Sequence, residues 1–255
     1  MNTTAQPTEI TLSYTETLLT EALLWESHCH PHFEMIAVLK GEVTLLSEGK
    51  KYTLSGGEIA LIPPLLYHTV TAAKRGEYHR VTLLFDGELI PEVIRPRFSE
   101  GGTGIRLLSS AHPEALKRIA TAEDRDFYRP LLHSLLVEIL YACVASGSTP
   151  ADGVDRFLQS AIRYIDAHLC ERLLLDEIAA YTAHSKSSLC HLFHEKMKIS
   201  IKQYILEKRL ALAVKMIREG VPATIAAARV GYENYSNFYR VFYKRYGHAP
   251  STLDK

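Results

Sequence analysis

Between Phe157 and Pro250 one pattern occurs twice, and no other feature limits the fold of this 255-residue chain as strongly. ARVGYENYSNFYRVFYKRYGHAP (Ala228 to Pro250) reads as the end of a short helix, a glycine turn at Gly231 and a second helix. Tyr235, Phe238, Tyr239 and Phe242 recur at spacings of three and four, which predicts a single inward helical face. Asn234, Asn237, Arg240 and Lys244 fall on the opposite face. LLLDEIAAYTAHSKSSLCHLFHEKM (Leu173 to Met197) has the same layout: a helix around Asp176 to Tyr181, a turn, and a helix from Lys186. Leu189, Leu192, Phe193 and Met197 are its inward stripe, and Lys186, Ser187, Cys190, His191 and His194 are its outward face.

Between the copies, Ser200 and Gln203 have the spacing of a capping box, opening a helix expected to reach about Glu219 and stop at Gly220. Roughly 20 residues at ~1.5 Å each make a rod near ~30 Å, close to the ~34 Å between successive major-groove faces of B-DNA. Polar and basic helix tips on such a spacer suit base edges and phosphates. Charge agrees. Residues 1–155 hold 13 Lys and Arg against 20 Asp and Glu, whereas residues 156–255 hold 16 against 9. The neutral total therefore splits into an acidic and a basic part, and the basic part carries the repeat.

These residues resemble the AraC/XylS-type transcriptional regulators. The resemblance rests on Ile165, Leu175-Asp176-Glu177-Ile178-Ala179, Ser185, Leu189, Leu192-Phe193, Tyr204, Arg209-Leu210 and Ala213. It continues through Ala227, Gly231-Tyr232, Ser236, Phe238, Arg240, Phe242, Gly247 and Pro250. It implies two helix-turn-helix units joined by a long helix, binding promoter DNA, with RNA polymerase as a partner. Several positions depart from the pattern. Leu174 replaces a capping Ser or Thr, Ala183 a turn glycine, and His191 a frequent arginine. Ala223 and Ala226 replace larger aliphatics, and Ile225 an acidic residue.

The first part of the chain reads differently. From about Glu9 to Phe85, β-rich runs are separated by Lys40-Gly41, Glu48-Gly49-Lys50 and Gly56-Gly57, which predicts an antiparallel barrel or jelly roll. His28, His30 and Glu34 followed by Gly41 resemble the first motif of the cupin family, and Gly57, Pro63 and His68 the second. Ala22, Leu65 and Ala72 depart from those motifs. In a continuous strand His28, His30, His32 and Glu34 point to one face. With His68 they form the expected effector site, and His28, His30, Glu34 and His68 suit Zn²⁺, Ni²⁺, Mn²⁺ or Fe²⁺. A metal-free pocket for an organic effector and a structural cluster are the other readings of the same residues. Cys29 and Phe33 face the other way.

After Phe85, Pro91, Pro96 and Gly101-Gly102 break the strands, and helices are expected over His112 to Thr121 and Phe127 to Ala145. Leu131, Leu132, Leu135, Leu136, Ile139, Leu140 and Val144 form an apolar stripe for the barrel or for a second subunit. The expected fold is α+β, with an antiparallel cupin-like barrel and a C-terminal all-α double helix-turn-helix domain. The boundaries are 1–105 for the effector domain, 106–146 for a helical dimerisation segment, 147–156 for a linker and 157–255 for the DNA-binding domain. Cys29, Cys143, Cys170 and Cys190 have no metal-pair spacing, the start has no secretion signal, and no apolar run approaches a membrane span. A cytoplasmic homodimeric regulator, not an enzyme, is the reading. A metal-dependent cupin enzyme with a helical appendage is the alternative.

Overall fold

A computed structural model of the chain describes residues 10–19, 23–24, 27–72, 75–99, 105–109, 112–147 and 149–253. Ala22 and the Gly101-Gly102 break lie outside them. The strands are β1 (Thr11–Leu19), β2 (Leu23–Leu24), β3 (Phe33–Lys40), β4 (Glu42–Ser47), β5 (Lys50–Ser55), β6 (Glu58–Ile62), β7 (His68–Ala72), β8 (Gly76–Phe85), β9 (Arg106–Ser109) and β10 (Gly153–Val154). They form two antiparallel sheets, ordered β1-β8-β3-β6-β9 and β10-β5-β4-β7-β2. The three glycine turns are used as expected. Gly41 has φ +91°, and a Cβ there would come within 2.6 Å of the Glu77 carbonyl oxygen. In the β4–β5 hairpin Glu48 and Gly49 both have positive φ, 47° and 78°, as a type I′ turn requires.

Ile36, Val38, Leu45, Tyr52, Leu54 and Ile62 fill the space between the sheets. The outer face of the first sheet is covered by helices, so β3 is buried on both faces. After a short turn of helix, α1 (Pro96–Ser99), these are α2 (His112–Ala120) and α3 (Arg129–Ser146). The buried edge of α3 is Leu132, Leu136, Ile139, Leu140 and Cys143. Leu131 is exposed, and Leu135 and Val144 are only partly covered, so the core-facing stripe is narrower than the sequence implies. By length and composition α3 is apolar enough to cross a membrane, but it lies along the sheet.

Two boundaries differ from expectation. The sheet does not end at residue 105, because β9 pairs with β6. The segment 147–156 is tied down. Thr149 accepts from the Leu107 amide at 2.8 Å, and Gly153 and Val154 pair with Lys51 and Lys50.

The remaining helices are α4 (Arg156–Ala167), α5 (Leu175–Tyr181), α6 (Lys186–Met197), α7 (Ile201–Arg218), α8 (Ala223–Arg229) and α9 (Tyr235–Tyr246). The pairs α5–α6 and α8–α9 are the two helix-turn-helix units, and α7 joins them. Ser200 caps α7 by accepting from the Gln203 amide at 3.1 Å. The Gln203 side chain donates from Nε2 to Glu207 at 2.8 Å. At 18 residues α7 is about 27 Å long and ends before Gly220, whose φ is +87°. Leu174 has no acceptor for α5, and Glu177 supplies the reciprocal half by accepting from the Leu174 amide. Arg209 on α7 locks the units together. Its guanidinium donates to Leu169 and Glu171 ahead of the first unit and to the Gly231 carbonyl in the second. A Cβ on Gly231 would come within 3.0 Å of that guanidinium.

The sheet domain and the helical domain share a core. Cys29 and Tyr67 pack with Leu158, Ile162, Ile165 and Tyr204. At its centre, Glu48 Oε1 accepts from the Tyr67 amide (3.1 Å), the Tyr204 hydroxyl (3.0 Å) and Lys208 Nζ (2.8 Å). Lys208 also donates to both Asp166 carboxylate oxygens at 2.9 Å. Burial alone lowers the Lys208 pKa, but Glu48 and Asp166 together raise it above the usual range, so the ammonium stays charged.

Two stability tests follow from this packing. Ala183 keeps the left-handed turn of the glycine it replaces, with φ 55°. Ala183→Gly should therefore stabilise the chain by up to about 1 kcal/mol in chemical denaturation, with no gain if the turn is unstrained. Lys208→Met leaves the Glu48 carboxylate, 13% exposed, without its charged partner and should cost about 3–5 kcal/mol. A loss below about 1 kcal/mol would show that water reaches the site.

Candidate cation cluster and nucleic-acid interface

The segment before β3 is not the continuous strand its alternating histidines suggest. His28 forms an isolated bridge with His68, with both N–H···O distances at 3.0 Å. The chain then bends at Pro31 and His32, where proline has no amide to continue a ladder. The bend separates the histidines. His28, His30, Glu34 and His68 converge, with their ligand atoms all within 4.8 Å of one another. His32 leaves the set. It is fully buried, Nδ1 lies 2.5 Å from Asp86 Oδ1, and Arg218 donates to Nε2 at 2.7 Å. Cys29 lies in the interdomain core and Phe33 in the core under α2 and α3. Leu65 has φ 64° in place of the turn glycine, and its amide donates to the His30 carbonyl at 2.9 Å.

Proton positions in the cluster follow from its partners. His30 Nδ1 faces the His32 carbonyl oxygen at 3.1 Å, and His68 Nδ1 faces that of Leu66 at 2.8 Å. A carbonyl only accepts, so both Nδ1 atoms carry hydrogen, and in the neutral rings both Nε2 atoms carry lone pairs. Each Nε2 lies 2.9 Å from Glu34 Oε2, and His28 Nε2 lies 3.8 Å from it. Burial opposes ionisation of Glu34, but the three histidines together hold its carboxyl well below the usual range. Burial lowers the His68 pKa, against the pull of Glu34. His30 Nε2 and His68 Nε2 thus converge on one carboxylate oxygen from rings whose other nitrogens face backbone carbonyls.

A cation satisfies that arrangement. Ligands ~2.0–2.1 Å from one tetrahedral ion stand roughly 3.4 Å apart, within the spread seen here. Backbone acceptors fixing the outer nitrogen of each ligating ring are the usual support of a metal site. Three imidazoles and one carboxylate fit Zn²⁺, Ni²⁺, Mn²⁺ or Fe²⁺. The His28 side chain is 40% exposed while the other three are nearly covered, which gives a way in.

On the helical domain, Lys186, Ser187, Cys190, His191 and His194 are all exposed on α6, as are Asn237, Arg240 and Lys244 on α9 and Asn234 just before it. Some have local partners. Lys186 pairs with Asp176 at 3.0 Å, Asn234 caps α9 by accepting from the Ser236 amide at 2.8 Å, and Arg240 donates to Asn237 at 3.0 Å. The inward stripe of α9 is Phe238, Phe242 and Tyr246. Tyr235 and Tyr239, expected in that stripe, are exposed, and with Tyr243 they form a ladder along one edge of the helix. Spacing alone cannot separate the two stripes, which lie one residue apart and share aromatic character.

A family model described as an AraC-like ligand binding domain matches residues 21–140, and a helix-turn-helix domain model matches residues 178–255. The chain is 25% identical over 228 residues to YobQ of Bacillus subtilis, described as an uncharacterized helix-turn-helix-type transcriptional regulator, covering 89% of this chain and 88% of that one. It is 30% identical over 97 residues to the regulatory protein SoxS of Escherichia coli, covering 38% of this chain and 91% of SoxS. The crystal structure of ToxT from Vibrio cholerae is similar at 13% identity and a TM-score of 0.43, over 95% of this chain and 96% of that one. With a ligand-binding sheet domain ahead of paired helix-turn-helix units, the chain belongs to the AraC family of transcription regulators.

Proposed function

We propose that this regulator reads promoter DNA through α6 and α9 and takes a divalent transition cation at His28, His30, Glu34 and His68 as its effector. The observation that carries the effector reading is the convergence of His28, His30, Glu34 and His68, with ligand atoms all within 4.8 Å of one another and the outer ring nitrogens of His30 and His68 facing backbone carbonyls. The cation would supply positive charge to that point. His30 and His68 would hold it from fixed rings, Glu34 would neutralise part of its charge, and His28 would close the site from the solvent side. The regulator reading is preferred to a cupin-type enzyme because the relatives are regulators and the basic helical domain then has a role.

Two copies are proposed to associate along α3, where Leu131 and Tyr141 remain exposed, beside Phe127. The working place is the cytoplasm, with promoter DNA and RNA polymerase as partners. An organic effector is the second reading, favoured by a cavity of about 320 Å³ at the domain junction, lined in part by Tyr67, His68, Leu158 and Met197.

Arg240→Ala should weaken binding to the chain's own upstream DNA by about 1–3 kcal/mol in a titration at physiological salt. Unchanged affinity would remove Arg240 from the interface. The purified full chain should carry one divalent cation by elemental analysis, and Glu34→Gln should lose it. If none of the four ions binds stoichiometrically, the cluster is not the effector site and the junction cavity takes its place.

A further inference from the structure

On the outer face of the first sheet, β1, α2 and the start of α3 enclose a cavity of about 410 Å³. None of its lining residues belongs to the cation cluster or to the junction cavity. Its floor is apolar. Leu12, Ile119 and Leu132 are buried there, with Ile10 and Leu89 partly covered beside them. Its rim is Arg125, Asp126, Arg129 and His133, all exposed. The turn that presents Arg125 is held by its own backbone. Asp124 accepts from the Phe127 amide at 3.1 Å, and the Arg125 carbonyl accepts from the Tyr128 amide at 3.2 Å. The Arg125 guanidinium reaches back over β1 and donates to the Leu12 carbonyl at 3.4 Å. That is one long bond for a group with five N–H donors, and among the described residues no carboxylate pairs with it.

We propose that this cavity is a ligand site of its own, taking a small carboxylic acid with its carboxylate on Arg125 and Arg129 and its aromatic or short alkyl body on Leu12, Ile119 and Leu132. Its size is that of a small-molecule cleft, which combines an apolar lining with a few placed polar groups. A guanidinium meets a carboxylate with two parallel N–H···O bonds, a geometry that an ammonium does not offer. Charge selects within the anions. Two guanidinium groups against Asp126 leave one positive charge in excess, which suits a monoanion, and Asp126 opposes a second negative charge on the ligand. The site goes beyond the cation reading and does not depend on it.

The test titrates 4-butylbenzoate into the full chain by calorimetry and maps its place by hydrogen exchange. The neutral 4-butylbenzamide and the dianion 4-butylphenyl phosphate are the counterparts. The benzoate should bind at about 1 mM or tighter, at least about tenfold tighter than either counterpart, and should slow exchange in β1 and the first turns of α3. Arg125→Gln and Arg129→Gln are changes at exposed positions, and each should weaken it about tenfold. Leu89→Trp, which fills the floor, should abolish binding. Chelator, and Leu46→Trp at the junction cavity, should leave the affinity unchanged. No binding at ~5 mM overturns the proposal, as does equal binding of the amide or tighter binding of the phosphate. So does an affinity that survives both arginine substitutions or is lost with Leu46→Trp. Protection of the same segments that rises with protein concentration alone, with no uptake of the benzoate, makes the groove a contact between copies and overturns it too.

Discussion

The Glu48 carboxylate is the point on which the two halves of the molecule depend. It sits at the tip of the β4–β5 hairpin in a left-handed conformation that non-glycine residues rarely adopt, and one of its oxygens receives donors from both domains. Such strain persists where the surroundings over-determine it. Three hydrogen bonds do so here, and Gly49 adds a fourth constraint, because its carbonyl accepts from Asp155 at the start of α4. A Cβ on Gly49 would come within 3.1 Å of the Asp155 carbonyl and 3.2 Å of Leu158. The hairpin tip thus fits one arrangement of the helical domain.

Buried Glu34 and half-buried Glu48 lie near this junction, and their charges are handled in opposite ways. Glu48 meets a lysine ammonium, a full positive charge with protons to give, so that site is complete within the chain. Glu34 meets three imidazoles, two of which have their other nitrogen on a backbone carbonyl. A protein that only needed to bury a carboxylate there has simpler choices available, since one ammonium or guanidinium suffices. Gathering three imidazoles on one carboxylate makes sense where positive charge arrives from outside. The contrast is between a carboxylate whose charge is met within the chain and one that the proposed cation would meet.

What was legible in the sequence follows the range of the interactions. The helix-turn-helix units could be read because helical periodicity and caps are local: Lys186 and Ser185 mark the start of α6, and Gly220 the end of α7. Turn glycines marked the hairpins for the same reason. The cluster was legible through spacing, yet His32 was grouped with it because a strand places alternate residues on one face, and Pro31 bends the chain before that rule applies. Tyr235 and Tyr239 were placed inside because tyrosine satisfies an apolar pattern while tolerating exposure. Glu48 and Lys208 are 160 residues apart, and nothing local in either stretch names the other. The role of Arg209 as a clamp on both units was hidden for the same reason.

That clamp limits what regulation can do. Because Arg209 binds carbonyls of the loop before the first unit and of Gly231 in the second, the spacing between α6 and α9 belongs to the DNA-binding domain itself. An effector on the sheet domain has no lever on that spacing unless it breaks the clamp. What it can alter is the placement of the domain as a body, since α7 meets the sheet domain through Tyr204, Lys208 and Arg218. For one copy on DNA such a change of placement has little consequence. For two copies joined along α3 it decides whether both pairs of readers reach the same face of the duplex. The proposed dimer and the proposed effector response are therefore linked: the placement of the helical domain matters for DNA binding only where a second copy has to be aligned with it.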